Sequence, residues 1–318
     1  PWTRGARCWP FPVFRSIRAP PDRTGSSVMA PVWSQMAVVA AADAPSVEHY
    51  AALGVPADRL VLTGNLKFDQ PLAQAGSQAL HWLDGRPVVV AGSTHEGEED
   101  ALLAAWPAFA ARHPGCVLIL VPRHPERFDA VARLIDQAGL PYARRSRQET
   151  LAPETGVYLA DTMGELGLWY AHASVCFIGG SLAAIGGHNA LEALACGKPV
   201  LFGPHTQHFQ RLYQEIQCHG IGERITSAHS LLELAGQWLD QPAQLARKGA
   251  QARHFVERQQ GSSQRSLQAL AAHGLGQVVH CVELKGTQCM LAMRGHEDHS
   301  GHGQTLCRTV AQCIGQMQ

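Results

Sequence analysis

The sequence has no surplus of charge of either sign. Its 318 residues hold 26 Lys and Arg against 26 Asp and Glu, so the formal net charge is zero. That argues against a nucleic-acid binder working through bulk charge, because such affinity is carried by many cations together. It also lacks any run of about 18 apolar residues, so no membrane-spanning helix is written here. The chain opens on Pro1, not Met, and has neither the charged start nor the apolar core of a secretory signal. The simplest expectation is a fragment of a longer protein. The nine cysteines lack regular spacing, which speaks against a disulfide framework and for a reducing compartment. Cys116, Cys176 and Cys196 stand among apolar or small residues and are expected as buried thiols. There is no HExxH zinc motif either. His95-Glu96 begins one, but Glu99 stands where the second His would be.

What is present is a globular composition, 46% hydrophobic and 16% charged, sized for one large or two medium domains. Residues 1–34 are proline-broken and expected to be irregular. Residues 36–42, 46–53 and 59–63 are expected as strand, helix and strand, with Ser46 as the N-cap and Gly54 at the helix end. A second unit begins near 73. Apolar strands are expected at 87–91, 116–121, 157–160, 175–178 and 199–202. Helices are expected between and after them, at 96–112, 125–138, 164–171, 188–195, 206–217 and 228–258. Strands apolar on both faces and alternating with helices predict an α/β fold, a parallel sheet covered on both sides. Ligands bind beyond the carboxyl ends of such strands, and polar, Gly- and Pro-bearing turns follow four of them in succession. Residues 274–318 are rich in Gly, His, Gln and Cys and are expected to be weakly ordered. Their His and Cys are metal-ligand types without zinc-finger or ribbon spacing, so a frayed terminus is the favoured expectation.

The most specific segment is FIGGSLAAIGGHNALE at 177–192. Paired glycines let backbone approach a ligand, and N–H groups at a helix start favour phosphate. Gly187, His188 and Asn189 would open that helix, with Ser181 in the preceding turn. Glu192 would take the hydroxyls of a ribose. The plainer alternative is a loop in which Asn189 caps the helix and Glu192 closes a capping box. In VPRHPER at 121–127, Arg123 would sit at a strand's carboxyl end, suited to a phosphate or carboxylate, or else to a rim ion pair. In AGSTHEGEE at 91–99, Ser93 and Thr94 would donate to phosphate or cap the next helix, with His95 beside them. Asn65 and Lys67 in TGNLKFD at 63–69 would face a cleft or lie in a surface turn. Gly164 in DTMGEL at 161–166 would begin a short helix whose N–H groups meet a base or phosphate, or are merely capped.

Together GNLKFD, AGSTHEGEE, VPRHPERF, GEL and FIGGSL–GGHNALEALACGKPVLFGPHTQHF resemble the C-terminal half of 3-deoxy-D-manno-oct-2-ulosonic acid (Kdo) transferases, over about residues 36–270. The resemblance implies a GT-B fold of two Rossmann-like domains, the first largely missing here. Residues 1–72 would be its remnant and linker, 73–273 the donor domain, and 274–318 a tail without counterpart. It implies Kdo transfer from CMP-Kdo to lipid A precursor in lipopolysaccharide core biosynthesis, at the cytoplasmic face of the bacterial inner membrane. Peripheral attachment and the general base would come from the missing region. By the same resemblance Arg123, Met163, Gly164, Glu165, Asn189 and Glu192 would hold CMP. Ser93, Thr94 and His95 would lie beside the sugar or phosphate, and Lys67 would face the cleft. Ser181 and His188 are further candidates for sugar or phosphate contact.

Transfer would displace CMP, with Arg123 and the helix start at 187–189 stabilising the leaving phosphate. No DxD-type carboxylate cluster stands at a strand end, so neither a metal nor a cofactor is expected. Partners would be the nucleotide-sugar donor and the lipid acceptor, with no nucleic acid. Other expectations remain open: a UDP-sugar transferase or epimerase of the same fold, or a fragment that binds nucleotide without turnover.

Overall fold

The structure, a computed structural model, describes residues 36–69, 80–83 and 85–273, and the backbone of two strands at 278–284 and 288–293. It divides into two compact units, at 70/71 and again at 258/259. In the first, strand β1 (Val39–Ala41), helix α1 (Ala44–Ala52) and strand β2 (Leu60–Leu62) form one parallel step. Met36, Val39, Ala41, Tyr50 and Val55 pack as its core. Helix α1 starts earlier than expected. Asp43, not Ser46, is its N-cap, and its carboxylate accepts the Ser46 N–H at 2.8 Å.

The second unit is built on seven strands. In chain order they are β3 (Val88–Thr94), β4 (Val117–Pro122), β5 (Tyr142–Arg144), β6 (Val157–Leu159), β7 (Val175–Ile178), β8 (Val200–Phe202) and β9 (Gly222–Arg224). The helices are α2 (Glu98–Arg112), α3 (Phe128–Gln137), α4 (Leu166–His172), α5 (Leu191–Ala195), α6 (Gln210–Cys218), α7 (Ala228–Leu239) and α8 (Pro242–Gln259). All neighbouring strands are parallel, in the order β5-β6-β4-β3-β7-β8-β9.

Why the strands are apolar throughout follows from the two faces. Val89, Leu118, Leu120, Val175, Phe177 and Leu201 point to one side, into a core shared with Trp106 of α2, Ile135 of α3 and Leu231 of α7. Their sequence neighbours point to the other. There Tyr158 meets Trp169 of α4 with ring centroids 5.3 Å apart, and Phe202 meets Tyr213 of α6 at 4.5 Å. Each fully buried side chain of this size contributes about 1.5–3 kcal/mol, so covering both faces roughly doubles what each strand gains. The expected two-sided α/β sheet is the fold observed.

Several elements differ from expectation. Strands β5 and β9 are three-residue edge strands, too short and polar to show a pattern. The helix expected over 228–258 is broken after Leu239, and Pro242 begins the next one. The helix expected from 188 begins at Leu191, because Gly186 and Gly187 hold positive φ of 109° and 78°. That expected from 164 begins at Leu166, after Gly164 at φ 80°. Cys116 and Cys176 are buried free thiols, and burial pushes Cys116 up to about 12. Cys196 is only half-buried.

Beyond α8 a further helix, α9 (Ser262–Ala272), groups with the first unit and not with the sheet. Asp69 accepts the N–H groups of Gly261, at 2.6 Å, and Ser263, and Arg265 donates to the Thr63 carbonyl at 2.8 Å. In the stretch expected to be weakly ordered, β10 (Val278–Leu284) pairs antiparallel with β11 (Gln288–Met293). The remaining tail, with its His and Cys side chains, lies outside the described residues, as does the stretch 1–35. No helix among the described residues is long and apolar enough to cross a membrane.

Candidate functional site

From β3 the chain steps to β4 and β6 on one side, and from β7 to β8 and β9 on the other. The order therefore reverses between β3 and β7. Where it reverses, crossover connections leave to opposite faces and open a crevice beyond the carboxyl ends. The polar motifs that follow β3, β4 and β7 converge there.

The two central strands end unusually close together. A Cβ on Gly179 would lie 2.3 Å from the Ser93 carbonyl oxygen, so only glycine fits. Ser93 itself holds φ 56°, a left-handed conformation rare outside glycine and a common mark of functional turns. That turn aims His95 across the crevice. His95 Nε2 lies 2.7 Å from His188 Nε2, so one ring donates and the other accepts. His124, beyond β4, meets the His95 ring edge-on at 5.3 Å. Burial holds both paired imidazoles below their ordinary pKa. The charge of Glu98 opposes this at His95, while His124 and Arg123 reinforce it. His188 is pushed down to about 4 by burial and then by the charges of His95, Arg123, His124 and His208. The pair is neutral at pH 7.

Arg123 follows β4, with its N–H on the Thr94 carbonyl at 3.0 Å. Its side chain is exposed and makes no ion pair among the described residues. Glu192 lies on the first turn of α5, solvent-accessible yet ringed by protein. That crowding raises its carboxyl pKa, against the pull of the Arg123 charge. Its carboxylate accepts no hydrogen bond among the described residues. Asn189 Oδ1 accepts the Leu191 N–H at 3.2 Å. Asn189 thus turns the chain into α5, but Glu192 does not close the capping box, which leaves its carboxylate open to a ligand.

Beyond β6, Met163 is 54% exposed, and the N–H groups of Met163, Gly164 and Glu165 meet no acceptor among the described residues. The Glu165 carboxylate is engaged. Arg145 grips it with bonds of 3.0 and 2.6 Å, and Thr162 donates to it. The Arg145 bonds hold its pKa below the ordinary value. A ligand at this turn would meet backbone, not the Glu165 side chain.

Three expected ligand contacts take other roles. Ser181 is 0% exposed; its hydroxyl donates to the Ile178 carbonyl and accepts the Gly203 N–H. Gly187 donates its N–H to the Gly180 carbonyl at 2.7 Å, so that group is not offered to a phosphate. Thr94 is 0% exposed and buried beside Glu99. Lys67 belongs to the first unit, where its half-buried amine has a pKa lowered by desolvation. Two acidic residues of AGSTHEGEE have partners that the sequence pattern does not show. Glu99, fully buried, pairs with Arg127 at 3.0 Å. Glu98, 1% exposed, accepts backbone N–H groups from both strand exits. Its apparent first-turn position on a helix gave no hint of partners some 80 residues away.

No family model matches the chain. It is 37% identical over 245 residues to the 3-deoxy-D-manno-octulosonic acid transferase of Haemophilus influenzae, covering 75% of this chain and 57% of that protein. It is 39% identical over 221 residues to the protein of the same name from Bordetella pertussis, covering 67% and 52%. The chain thus spans about half the length of the curated relatives it matches. Among solved structures, the UDP-GlcNAc 2-epimerase from Neisseria meningitidis shares the fold at 16% identity and a TM-score of 0.50, over 76% of this chain and 62% of that one. The C-terminal CMP-Kdo binding domain of WaaA from Acinetobacter baumannii is 37% identical, with a TM-score of 0.55, over 60% of this chain and 98% of that domain. With that domain matched almost end to end on a GT-B-type sheet, this chain belongs to the 3-deoxy-D-manno-octulosonic acid (Kdo) transferase family.

Proposed function

We propose that the chain binds CMP-Kdo at the crevice between β3 and β7 and supplies the donor half of a Kdo transferase. The acceptor is lipid A precursor, in lipopolysaccharide core assembly at the cytoplasmic face of the inner membrane. The observation that carries this reading is Glu192, a carboxylate in the crevice with no hydrogen-bond partner among the described residues and with the Arg123 charge acting on it. A cytidine monophosphate needs just those two groups, an acceptor for the ribose hydroxyls and a cation for the phosphate. The Met163–Glu165 turn, with its open N–H groups and exposed Met163, suits the base or the phosphate. Asn189, at the entry to α5, and Ser93 and His95, at the β3 exit, would border the sugar, together with His188.

In the transfer step the acceptor hydroxyl loses its proton to a carboxylate and attacks the anomeric carbon. The bond to the phosphate breaks, and CMP leaves with the bonding pair. Arg123 would stabilise the charge growing on that phosphate. The neutral His95–His188 pair would border it without adding charge. The match covers 57% and 52% of the two relatives, and we assign the base and the acceptor contacts to the portion not shared with this chain. Donor binding is the part of the reaction these residues carry.

The test is calorimetric titration of the full chain with CMP and, separately, UDP. CMP should bind and UDP should bind more weakly. Glu192→Ala should weaken CMP about 30-fold, the equivalent of about 2 kcal/mol for a charged hydrogen-bond partner. Equal binding of both nucleotides would move the reading to a UDP-sugar enzyme of the same fold. No binding to either would end it.

A further inference from the structure

The turn after β7 has the sequence of a phosphate cradle, with Gly179-Gly180-Ser181 leaving a buried strand. Its N–H groups do converge on one point, but a group of the protein already occupies it. Glu98 Oε1 accepts the N–H groups of Ser181, Leu182 and Ala183 at 3.1, 2.9 and 3.1 Å. Oε2 accepts those of Gly180 at 2.8 Å and His95 at 3.0 Å. The residue is 1% exposed, and no Lys or Arg pairs with it among the described residues. A desolvated carboxylate without a cation persists only where donors fill its lone pairs. Here five amides do so, four from the β7 exit and one from the β3 exit.

The same carboxylate holds the two histidine rings. His95 is fixed through its own N–H. Gly180 is fixed through its N–H, and its backbone lies against both rings. A Cβ there would stand 3.0 Å from the His188 ring and 3.3 Å from the His95 ring. The 2.7 Å bond between those rings therefore spans the join that Glu98 makes.

We infer that Glu98 is a positioning residue, a built-in anion that fills the nest of N–H groups after β7 and so sets the His95–His188 pair across the crevice. The consequence for recognition is that a ligand phosphate does not use the 180–183 amides and falls to Arg123 instead. Only this last consequence, read through CMP affinity, rests on the donor-site proposal.

The test uses the full chain and two variants. Glu98→Gln keeps the shape but sets an NH2 group against two or three N–H donors. Long-range proton–nitrogen spectra of the ligand-free protein at pH 7 should then show the shared His95–His188 proton lost or shifted. CMP affinity should fall about tenfold or more, as expected when a charged acceptor of several donors is removed. Glu98→Ala empties the nest. Acetate, but not chloride at equal ionic strength, should refill it, restoring the ring signals and CMP affinity along one saturation curve. Ring signals in folded Glu98→Gln identical to the wild type would overturn the inference, as would a folded Glu98→Ala indifferent to acetate. If Glu98→Ala does not fold, the Glu98→Gln spectra decide alone. Failure of the wild type to bind CMP would sink the donor reading, while the ligand-free spectra still judge Glu98.

Discussion

Arg123 and His188 show how placement decides chemistry for single residues. Arg123 leaves a fully buried strand, yet its guanidinium is exposed and makes no ion pair among the described residues. Replacing it with Ala should leave the melting temperature nearly unchanged and weaken CMP binding by about 10- to 100-fold, the range for a charge-assisted phosphate contact. Arg123→Lys should recover only part of that, since the planar fork is lost. Calorimetry and a thermal melt on the same samples separate the two effects. His188 makes the opposite kind of prediction. Its folded pKa of about 4 lies below the unfolded value of about 6.5. Between those limits the unfolded chain binds the proton more readily, so folding stability rises with pH. The contribution is complete above about pH 6.5 and is lost as pH falls toward about 4. Melting curves across that window should fall less steeply for His188→Asn than for the wild type. Parallel curves would show that His188 is not the group responsible.

At the scale of elements, close approach governs more than propensity does. The β3–β7 join requires Gly179, because a methyl group would meet backbone and not a movable side chain. Gly179→Ala should cost about 1–3 kcal/mol or more, as overpacking does, and should lower the midpoint of urea unfolding. Helix α9 offers a contrasting case. Its N-cap is Gly261, and the carboxylate that meets its first N–H groups comes from Asp69, nearly 200 positions earlier. Asp69→Ala should cost roughly 1 kcal/mol, the usual worth of a cap, and should deprotect α9 in hydrogen exchange. The long buried strands were readable because both faces are apolar. Strands β5 and β9 were not, since three residues at an edge carry no period. The start of α5 is hidden for a related reason: the pattern opens a helix at His188, whereas the positive φ values of Gly186 and Gly187 precede a turn and the helix begins at Leu191.

For the molecule as a whole, the sheet unit should unfold around its centre. Whereas β5 and β9 have a partner on one side only, strands β3, β4 and β7 are the middle three of the seven and are buried along their length. Their amides should exchange slowest, and those of β5 and β9 should be among the first lost. Uniform protection across the seven strands would contradict a core centred on β3. The same centre carries the proposed site, because the reversal of strand order at β3 and β7 also opens the crevice at their ends.

By itself the sequence determined the class of fold and which strand ends carry the candidate site residues. Two-faced apolar strands, helices between them and polar turns at successive strand ends admit few other architectures. The specific run at 177–209 marked the family. What only the tertiary structure decided is which polar groups remain free. Among the described residues Glu192 and Arg123 have side chains without partners, while Ser181, Gly187 and the Glu165 carboxylate are engaged elsewhere. The Gly179–Ser181 turn is already filled by Glu98. The physical reason is distance along the chain. A hydrogen bond between residues 98 and 180 satisfies a buried group as fully as one between neighbours, and nothing in local spacing reveals it.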